Sequence, residues 1–351
     1  MKPGAFLTRS LIFGALVINS AGAATAEPSA PGGVVPADAR LMGVTLQNGH
    51  LRARVVDNSS RLCQLVDALM PGYNGLASLI YDEQNRNIFT PAGFNYESCS
   101  HTLPKSGKLA DAWNAPRLAP MKLEQLDART ARLTQTGAEA GGLNVEIVFQ
   151  LGDTYVDQTI TTWPDIDLTE SSTFWASYMN FVQNTSLYLH GRLKDETQTH
   201  WLEMTSAGHF GRGTFYRSFD PTGKDWYEYL TDNPVRRQAI KETPASRAAT
   251  ETAGFRDVPL GSFDDFFFGF VDDYVALWIY RPTPAGQFRT WISASGAEAV
   301  RRPAWDFGID SGPQKAGERR TFHVRFVYHP WRGLDDLMEE VARFQDGGGR
   351  G

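Results

Sequence analysis

The densest group of residues suited to proton transfer and ligand binding runs from His200 to Gly213. A histidine serves as acid or base near neutral pH because its unperturbed pKa lies there. His209 is therefore a candidate catalytic residue, and His200 a candidate substrate-binding residue. Arg212 offers a planar fork of donors that binds a carboxylate or neutralises developing charge. The alternative interpretation is a Gly-rich turn with one exposed and one structural histidine.

Two extended segments carry the other candidates for proton transfer. Tyr178 and Asn180 are two residues apart, as are Asn95 and Glu97, and alternation along a strand places each pair on one face. Glu97 is the first choice for a carboxylate acid or base, Tyr178 is a second catalytic candidate, and the two asparagines are expected to bind substrate. Alternatively, Tyr178 is a core tyrosine and Glu97 is a surface salt-bridge or turn residue.

Four aspartates surround a run of phenylalanines: Asp264, Asp265, Asp272 and Asp273. Carboxylate oxygens suit calcium, but the EF-hand spacing is missing. We interpret the four as turn and strand-end residues. The motifs of nucleophilic serine enzymes, nucleotide-binding proteins and zinc proteases are also missing from the sequence. The sequence leads us to expect neither a metal nor a cofactor.

Period-two alternation dominates the chain and predicts strands. The pattern occurs at Leu143–Leu151, Tyr155–Thr162, Tyr274–Tyr280, Phe288–Ser293 and Thr321–Tyr328. In the last of these, one face carries Phe322, Val324, Phe326 and Tyr328, while His323 and Arg325 point the other way. Half-buried strands separated by regularly spaced turns are typical of a β-sandwich.

A short helix is predicted near the end of the chain. Five apolar residues recur at helical spacing: Leu334, Leu337, Met338, Val341 and Phe344. Two aspartates follow the first of them, where a helix N-terminus favours negative charge. We expect this helix to pack on an edge or face of a sheet. The polar stretch Thr231–Val258 is expected to be a surface loop.

Residues 1–26 have the pattern of an export signal. Lys2 and Arg9 precede the apolar segment Leu11–Ile18, which is too short to span a bilayer, and small residues suited to cleavage follow it. A membrane anchor is the alternative interpretation. Residues 27–39 are expected to be a flexible lead-in, residues 40–346 a single domain and residues 347–351 a disordered tail. The mature protein is therefore expected in the periplasm or outside the cell.

Charge and cysteine content narrow the partners and the compartment. The net charge is −6 with no basic patch, so nucleic acid is not expected as a partner. No segment after the signal is long and apolar enough to cross a membrane. In an oxidising compartment, Cys63 and Cys99 are expected to form a disulfide across a loop of about 36 residues, worth ~3–4 kcal/mol. Two buried free thiols are the alternative.

Four segments resemble members of the galactose-mutarotase-like superfamily, including uncharacterised exported bacterial proteins. They are Gly72–Leu79, Ala92–Glu97, Phe174–Asn180 and Pro303–Phe307. The resemblance extends over most of the mature chain. It implies an all-β fold, namely a large antiparallel β-supersandwich with a short C-terminal helix, and a saccharide cleft on its concave face. Epimerases of this superfamily use a histidine acid and a glutamate base.

A saccharide cleft combines aromatic platforms with polar groups that bond hydroxyls. Aromatic residues make up 12% of this chain, and nine of them are tryptophan. The tryptophans that adjoin polar clusters are the expected platforms: Trp175, Trp201, Trp226 and Trp305. Asp306 is expected either to bond a sugar hydroxyl or to cap a turn. Most tryptophans of a β-sandwich, however, belong at least partly to the core.

The sequence thus favours an exported carbohydrate-active enzyme that cleaves a poly- or oligosaccharide by metal-free acid/base catalysis. With a uronate substrate, Arg212 and Asn95 would neutralise its carboxylate while Tyr178 or His209 abstracts the α-proton. Hydrolysis would need a second carboxylate beside Glu97, so elimination is slightly favoured over hydrolysis. The alternatives are a sugar epimerase resembling aldose 1-epimerase, and a non-catalytic glycan-binding protein of the cell envelope.

Overall fold

Antiparallel strands dominate the computed structural model, which describes residues 43–58, 73–102, 109–113, 115–136, 142–182, 185–194, 196–206, 214–219, 260–294 and 303–347. The elements are, in chain order, β1 (Gly43–Asn48), β2 (Leu51–Val56), β3 (Gly75–Tyr81), β4 (Phe89–Thr102), β5 (Leu109–Trp113), α1 (Ala115–Leu118), β6 (Lys122–Gln125), β7 (Thr130–Gln135), β8 (Leu143–Leu151), β9 (Tyr155–Pro164), β10 (Glu170–Met179), β11 (Leu187–Leu193), β12 (His200–Ser206), β13 (Thr214–Phe219), β14 (Leu260–Phe263), β15 (Phe266–Val271), β16 (Tyr274–Tyr280), β17 (Gln287–Ala294), β18 (Pro303–Asp310), β19 (Arg320–Pro330) and α2 (Leu334–Gln345).

Within these ranges the strands form two sheets. Sheet A has eight strands in the order β1-β2-β3-β4-β10-β18-β17, with β5 also paired to β4. Sheet B has eleven, in the order β13-β12-β11-β15-β16-β19-β9-β8-β7-β6, with β14 also paired to β11. The strand pairs are antiparallel throughout, as in β10 with β18 and β16 with β19. The expected all-β sandwich with a C-terminal helix is confirmed.

The core lies between the sheets and is built by alternation. On β16, Trp278 and Tyr280 point inward, whereas Leu277 and Ile279 join a second apolar cluster on the outer face of sheet B. The inner layer is rich in aromatic rings that pack closely together. The ring centroids of Trp278 and Phe326, for example, are 4.3 Å apart. Because β16 is buried on both faces, its sequence is apolar almost without interruption.

Helix α2 covers the outer face of sheet B. Leu337, Val341 and Phe344 are buried against that second cluster, which confirms the apolar stripe predicted from the sequence. The end of the helix is fixed by Arg281, whose guanidinium donates two hydrogen bonds to the Phe344 carbonyl at 3.3 and 3.1 Å. These bonds satisfy a carbonyl that the helix itself leaves without an intrahelical donor.

The two sheets approach closely where Trp305 of β18 faces Gly269 of β15. A Cβ atom at position 269 would lie 2.3 Å from Cη2 of the Trp305 ring. A glycine at this position therefore leaves the space that the indole fills, and the pair fixes how the two sheets are stacked.

The structure confirms most of the predicted strands. β8 and β16 have the predicted bounds, and β9, β17 and β19 contain the predicted segments with two or three residues added. The four aspartates lie in connections between strands, and Asp265 and Asp272 adopt left-handed backbone angles, with φ 55° and 51°. Their interpretation as turn residues is therefore confirmed.

Several expectations fall on residues outside the described ranges. These are the export signal, the lead-in, the polar stretch Thr231–Val258 and residues 348–351 of the C-terminal tail. The described parts of the chain contain no helix of sufficient length and apolar character to cross a membrane.

Candidate functional site

An irregularity in the pairing of β4 with β10 sets the position of Glu97. Tyr96 is paired with Trp175 and Ser98 with Phe174, so Glu97 has no Cα partner on β10. Such a bulge turns the extra residue away from the regular pleat, and bulges are common beside active sites. Glu97 is nevertheless 4% exposed, so its carboxylate needs partners within the protein.

Tyr178 supplies one of those partners from the next strand. It lies at a second register shift between β10 and β4, between Ser177 and Met179. Its hydroxyl donates a hydrogen bond of 2.9 Å to Oε2 of Glu97, across 81 positions of sequence. Two of the three residues that the sequence singled out for proton transfer are therefore in direct contact.

Arg117 supplies the second partner, and it comes from α1 rather than from a strand. Its Nη2 lies 2.5 Å from Oε2 of Glu97. Its Nε and Nη2 each donate to Oδ1 of Asn95 at 3.4 Å, and Nη2 also lies 3.4 Å from the Tyr178 hydroxyl. The guanidinium is stacked on Tyr73, with Cζ 4.2 Å from the ring centroid. We call Tyr73, Asn95, Glu97, Arg117 and Tyr178 the Glu97 cluster.

The cluster lies on the outer face of sheet A. On β4, Phe94 and Tyr96 point into the core between the sheets, so Asn95 and Glu97 face away from it. On β10 the core takes Trp175 and Met179, whereas Tyr178 packs in a small separate cluster on the other side.

Asp306 brings a second carboxyl group to the same face from β18. Its neighbours Trp305 and Phe307 point into the core, so Asp306 points outward. β10 and β18 pair Trp175 with Phe307 and Tyr178 with Ala304, so Asp306 lies level with Ala176, which is opposite Asn95 of β4. The backbone N–H of Ser177 donates a 3.2 Å hydrogen bond to Oδ1 of Asp306. Asp306 is 2% exposed.

Burial and the neighbouring charges separate the protonation states of these groups. Burial raises the pKa of Asp306 well above its usual value, and the Glu97 charge raises it further. Burial and then Glu97 raise the pKa of Tyr178 well above the usual range of a phenol. For Arg117, burial lowers the pKa, but Glu97 and the two tyrosines more than offset this, so the net direction is upward. The site at neutral pH combines an arginine cation with a neutral Tyr178 and a protonation-prone Asp306.

This arrangement is suited to proton transfer. Glu97, held against a guanidinium, is the group favoured to carry negative charge and act as a base. Tyr178 and Asp306 retain protons and are suited to donate them. Two neighbouring acids whose environments push their protonation states apart are the usual signature of an acid/base assignment.

The structure brings together Glu97, Tyr178 and Asn95, with Asp306 close enough for its charge to interact with that of Glu97. Asn180 does not join them. β10 ends at Met179, and the Asn180 side-chain oxygen accepts a hydrogen bond from the N–H of Phe181, whose φ is 57°. The expectation that Asn180 shares a strand face with Tyr178 is wrong, because the chain turns there.

Trp175 and Trp305 are not platforms for a ligand. Both rings are fully buried between the sheets, where Trp175 stacks on Phe307 at 5.9 Å and Trp305 meets Trp278 at 5.9 Å. The expectation of exposed rings at these two positions is wrong. Each tryptophan adjoins polar residues in sequence because those residues point to the opposite face of the same strand.

Trp201 and His200 lie on β12 in sheet B and are separated from the Glu97 cluster. Trp201 is partly buried on the outer face of sheet B, 5.2 Å from the His190 ring. His200 lies 3.7 Å from a carboxylate oxygen of Glu196. The outer face of sheet B is on the opposite side of the sandwich from the Glu97 cluster, so a role for Trp201 in the same site is not supported by this geometry. His200 alternates with Trp201 along β12, and the contact described for its ring is with Glu196 rather than with the cluster.

His209, Arg212 and Trp226 lie outside the described residues, and their expected roles stay predictions. The same holds for the disulfide, because Cys63 is outside the described ranges. Cys99 is buried on the inner side of β4, and burial raises the pKa of its thiol to about 11.

Sequence reasoning missed Arg117 and Tyr73. Arg117 lies in the segment Asn114–Pro120, where two prolines indicate a loop, and an arginine in a loop ordinarily faces solvent. A usable signal would have been the need for a cation near a buried glutamate. Sequence spacing alone does not reveal which of the chain's arginines meets that need.

Comparisons with known proteins give likenesses in fold only. No protein-family model and no curated protein matches this sequence. Solved structures do match. α-N-acetylgalactosaminidase NagBb from Bifidobacterium bifidum, in complex with GalNAc, has 10% identity and a TM-score of 0.45, covering 88% of this chain and 39% of that one. Galactose 1-epimerase from Lactobacillus acidophilus NCFM has 10% identity and a TM-score of 0.43, covering 83% and 95%.

A galactose mutarotase-like protein from Lactobacillus casei has 10% identity and a TM-score of 0.41, covering 82% of this chain and 100% of that one. The name of this last protein is that of the superfamily which the four sequence segments resemble. At such identities and TM-scores, the chemistry of the site has to be argued from its own residues.

Proposed function

We propose that this protein is a carbohydrate-active enzyme that cleaves an oligo- or polysaccharide by acid/base catalysis on the outer face of sheet A. The observation that carries the proposal is the contact of Glu97 with both Tyr178, at 2.9 Å, and Arg117, at 2.5 Å. A buried carboxylate beside a neutral proton donor is a costly arrangement for stability alone. Acid/base catalysis needs such a base and donor close together.

Among cleavage reactions, hydrolysis is favoured over elimination. The sequence offered one good carboxylate, whereas the structure adds Asp306 on the same face, and glycoside hydrolysis uses two carboxyl groups with different protonation states. Elimination from a uronate needs a cation for the substrate carboxylate, and within the described part of the site the charge of Arg117 is already paired with Glu97. The raised pKa of Tyr178 also makes it a proton donor rather than the base that elimination would require of it.

In the proposed reaction, Asp306 or Tyr178 protonates the departing glycosidic oxygen. Glu97 either takes a proton from a water molecule that attacks the anomeric carbon, or attacks this carbon itself, after which water hydrolyses the glycosyl-enzyme ester and regenerates the carboxylate. Arg117 keeps Glu97 charged while the substrate excludes solvent. Asn95 fixes the guanidinium from the other side, which keeps the charge where the reaction needs it.

The test is mass spectrometry of the products after incubation with a panel of neutral and acidic glycans. Fragments that carry one added water are expected. Unsaturated fragments would show a lyase instead. No fragments from any glycan, with anomeric exchange seen by NMR, would show an epimerase, and binding without turnover would show a glycan-binding protein. Each of the last three results would overturn the proposed reaction.

Variants with matched controls test the residues. Tyr178→Phe is expected to lower kcat by about 10²–10⁴-fold, the usual contribution of a positioned proton donor. Tyr280→Phe removes the phenol of a fully buried tyrosine, whose hydroxyl finds no hydrogen-bond partner among the described residues, and should leave kcat within a few-fold. Equal losses in both variants would contradict a catalytic role for Tyr178.

Glu97→Gln is expected to abolish cleavage. Its control is Asp157→Asn, which neutralises a comparable pair. Arg325 binds Asp157 at 2.7 and 2.8 Å and stacks on Tyr155 at 3.7 Å, on the outer face of sheet B. Loss of activity in Glu97→Gln alone would place the chemistry at Glu97. Full activity in that variant would remove the proposal.

We also propose that the protein is exported, on the basis of the charged and apolar pattern of residues 1–26. Expression of the full chain in a bacterium, followed by N-terminal sequencing of the periplasmic and secreted fractions, tests this. A mature N-terminus close to residue 27 is expected. An uncleaved chain in the cytoplasmic fraction would contradict it.

A further inference from the structure

The residue that holds Glu97 is delivered by a very short segment. Arg117 lies in α1, which has four residues, and a helix of that length has no stability of its own. The direction of the guanidinium therefore depends on what fixes the backbone around it. The carbonyls that flank Arg117, those of Pro116 and Ala119, show what does so.

Both carbonyls are held by side-chain amides from distant parts of the chain. Nε2 of Gln135 donates to the Pro116 oxygen at 3.0 Å and to the Ala119 oxygen at 2.7 Å. Nδ2 of Asn58 donates to the Pro116 oxygen at 3.1 Å and also to the Ala119 oxygen. Each amide thus spans the segment on either side of Arg117.

The two amides come from different sheets. Gln135 ends β7 of sheet B and is 1% exposed, whereas Asn58 follows β2 of sheet A. The segment that carries Arg117 is therefore fastened to both halves of the sandwich. The side-chain amide oxygen of Gln135 has no hydrogen-bond partner among the described residues. A buried acceptor without a partner lowers the stability of the fold, so this side chain is costly to keep for stability alone.

We propose that Gln135 is a positioning residue that maintains the charge of Glu97 by fixing the backbone that delivers Arg117. This inference rests on the proposed function, in which Gln135 sets the pH range of catalysis without touching the substrate. The reasoning is electrostatic. A cation within about 4–6 Å favours the charged form of a carboxyl group, and the influence of Arg117 weakens if its backbone is free to move.

The chain offers a closely matched control in Gln314. Its side chain is also buried, its Nε2 donates to two backbone carbonyls, those of Thr162 at 3.3 Å and Glu318 at 2.8 Å, and its Oε1 likewise has no partner among the described residues. Gln314 makes no contact with the Glu97 cluster. Gln135→Leu and Gln314→Leu therefore remove the same kind of bonds at two places.

The first experiment compares pH–kcat profiles of these two variants and the wild type. In Gln135→Leu, the acid limb of the profile is expected to move to higher pH by about one unit. The reason is that loss of a nearby cation typically raises the pKa of a carboxyl group by one unit or more. In Gln314→Leu, the limb should stay in place even if stability falls. Asn58→Ala removes the other donor and should move the limb in the same direction.

The second experiment needs no activity and so separates this proposal from the proposed function. Urea midpoints are measured for Gln135→Leu, Glu97→Gln and the double variant, and for the same set with Gln314→Leu. Because Gln135 acts through Arg117 on Glu97, the first pair should be non-additive, with a smaller effect of Glu97→Gln in the Gln135→Leu background. The second pair should be additive.

Additive midpoints for both pairs would overturn the proposal, whether or not the wild type cleaves a glycan. An acid limb that moves equally in both leucine variants would also overturn it. Non-additive midpoints with an inactive wild type would keep Gln135 as the residue that fixes Arg117 and would reject only the proposed function.

Discussion

Replacement of Arg117 by methionine isolates the contribution of the buried ion pair. Methionine keeps most of the apolar stem of the arginine and removes its charge and donors. The substitution leaves Glu97, 4% exposed, without the cation 2.5 Å away. We expect a loss of about 3–5 kcal/mol in the free energy of unfolding near neutral pH, the usual cost of leaving one member of a buried pair charged.

The expected loss of stability in Arg117→Met depends on pH, and the titration of the Glu97 carboxyl group decides whether it grows or shrinks as the pH rises. In Arg117→Met, the buried Glu97 favours its neutral form, so the folded state takes up a proton that the unfolded state releases above about pH 4. Stability therefore declines as the pH rises. The deficit relative to the wild type should be largest near pH 8 and should shrink as the pH falls toward about 4.

Urea unfolding at pH 5 and pH 8 measures this, with the slope against urea checked to be unchanged. Arg117→Met combined with Glu97→Gln should recover most of the loss, because no charge remains buried. Arg325→Met is the control. Its partner Asp157 is 27% exposed, so water replaces part of the lost interaction and the expected cost is about 1–2 kcal/mol.

Two results would refute this reasoning. A loss below about 1 kcal/mol in Arg117→Met at pH 8 would mean that Glu97 finds water or another cation there. A double variant that is less stable than Arg117→Met would mean that the two side chains stabilise the fold by packing rather than by charge.

Three further predictions concern the scaffold. Gly269→Ala should cost about 1–3 kcal/mol in urea unfolding, since its Cβ would lie 2.3 Å from Trp305; a cost under about 0.5 kcal/mol would mean that the indole can move. Burial, and then the charge of Asp264, raise the pKa of Asp265 to about 6. Between about pH 4 and 6, Asp265 therefore holds a proton in the folded protein that it has lost in the unfolded chain, and stability falls as the pH rises through that window. Asp265→Asn should therefore gain on the order of 1 kcal/mol at pH 7, reduced for partial exposure, and nothing at pH 4, and an equal gain at both would contradict the assignment. Leu337→Ala, at a buried position of α2, should cost about 2–4 kcal/mol, whereas Glu339→Ala on its exposed side should change little.

Local pattern was sufficient for much of the scaffold. Leu143–Leu151 and Tyr274–Tyr280 were predicted with the observed bounds, because the first begins with period-two alternation, the second is a short apolar run, and turn residues adjoin both. The stripe of α2 was predictable for the same reason. These features depend on neighbours within about ten residues.

The candidate site was only partly predictable because it depends on distant pairing. Glu97 and Tyr178 were chosen for their chemistry, but their contact results from two register shifts between β4 and β10 that no local pattern indicates. Arg117 was missed because it lies in α1, whereas its partner Glu97 lies on strand β4. Trp175 and Trp305 were expected to be exposed because polar residues adjoin them in the sequence. Their exposure depends instead on which face of the strand each ring occupies, and both rings are on the buried face.

The attachment of α1 to both sheets has a consequence for the order in which the protein folds. Arg117 reaches its place only when Asn58, on the side of sheet A, and Gln135, at the end of β7, are both present. Loop closure over such separations costs entropy before any contact compensates for it. We therefore expect the site to mature last, after the two sheets have joined. Pulsed hydrogen exchange during refolding should label the amides around residue 117 later than those of β8 or β16.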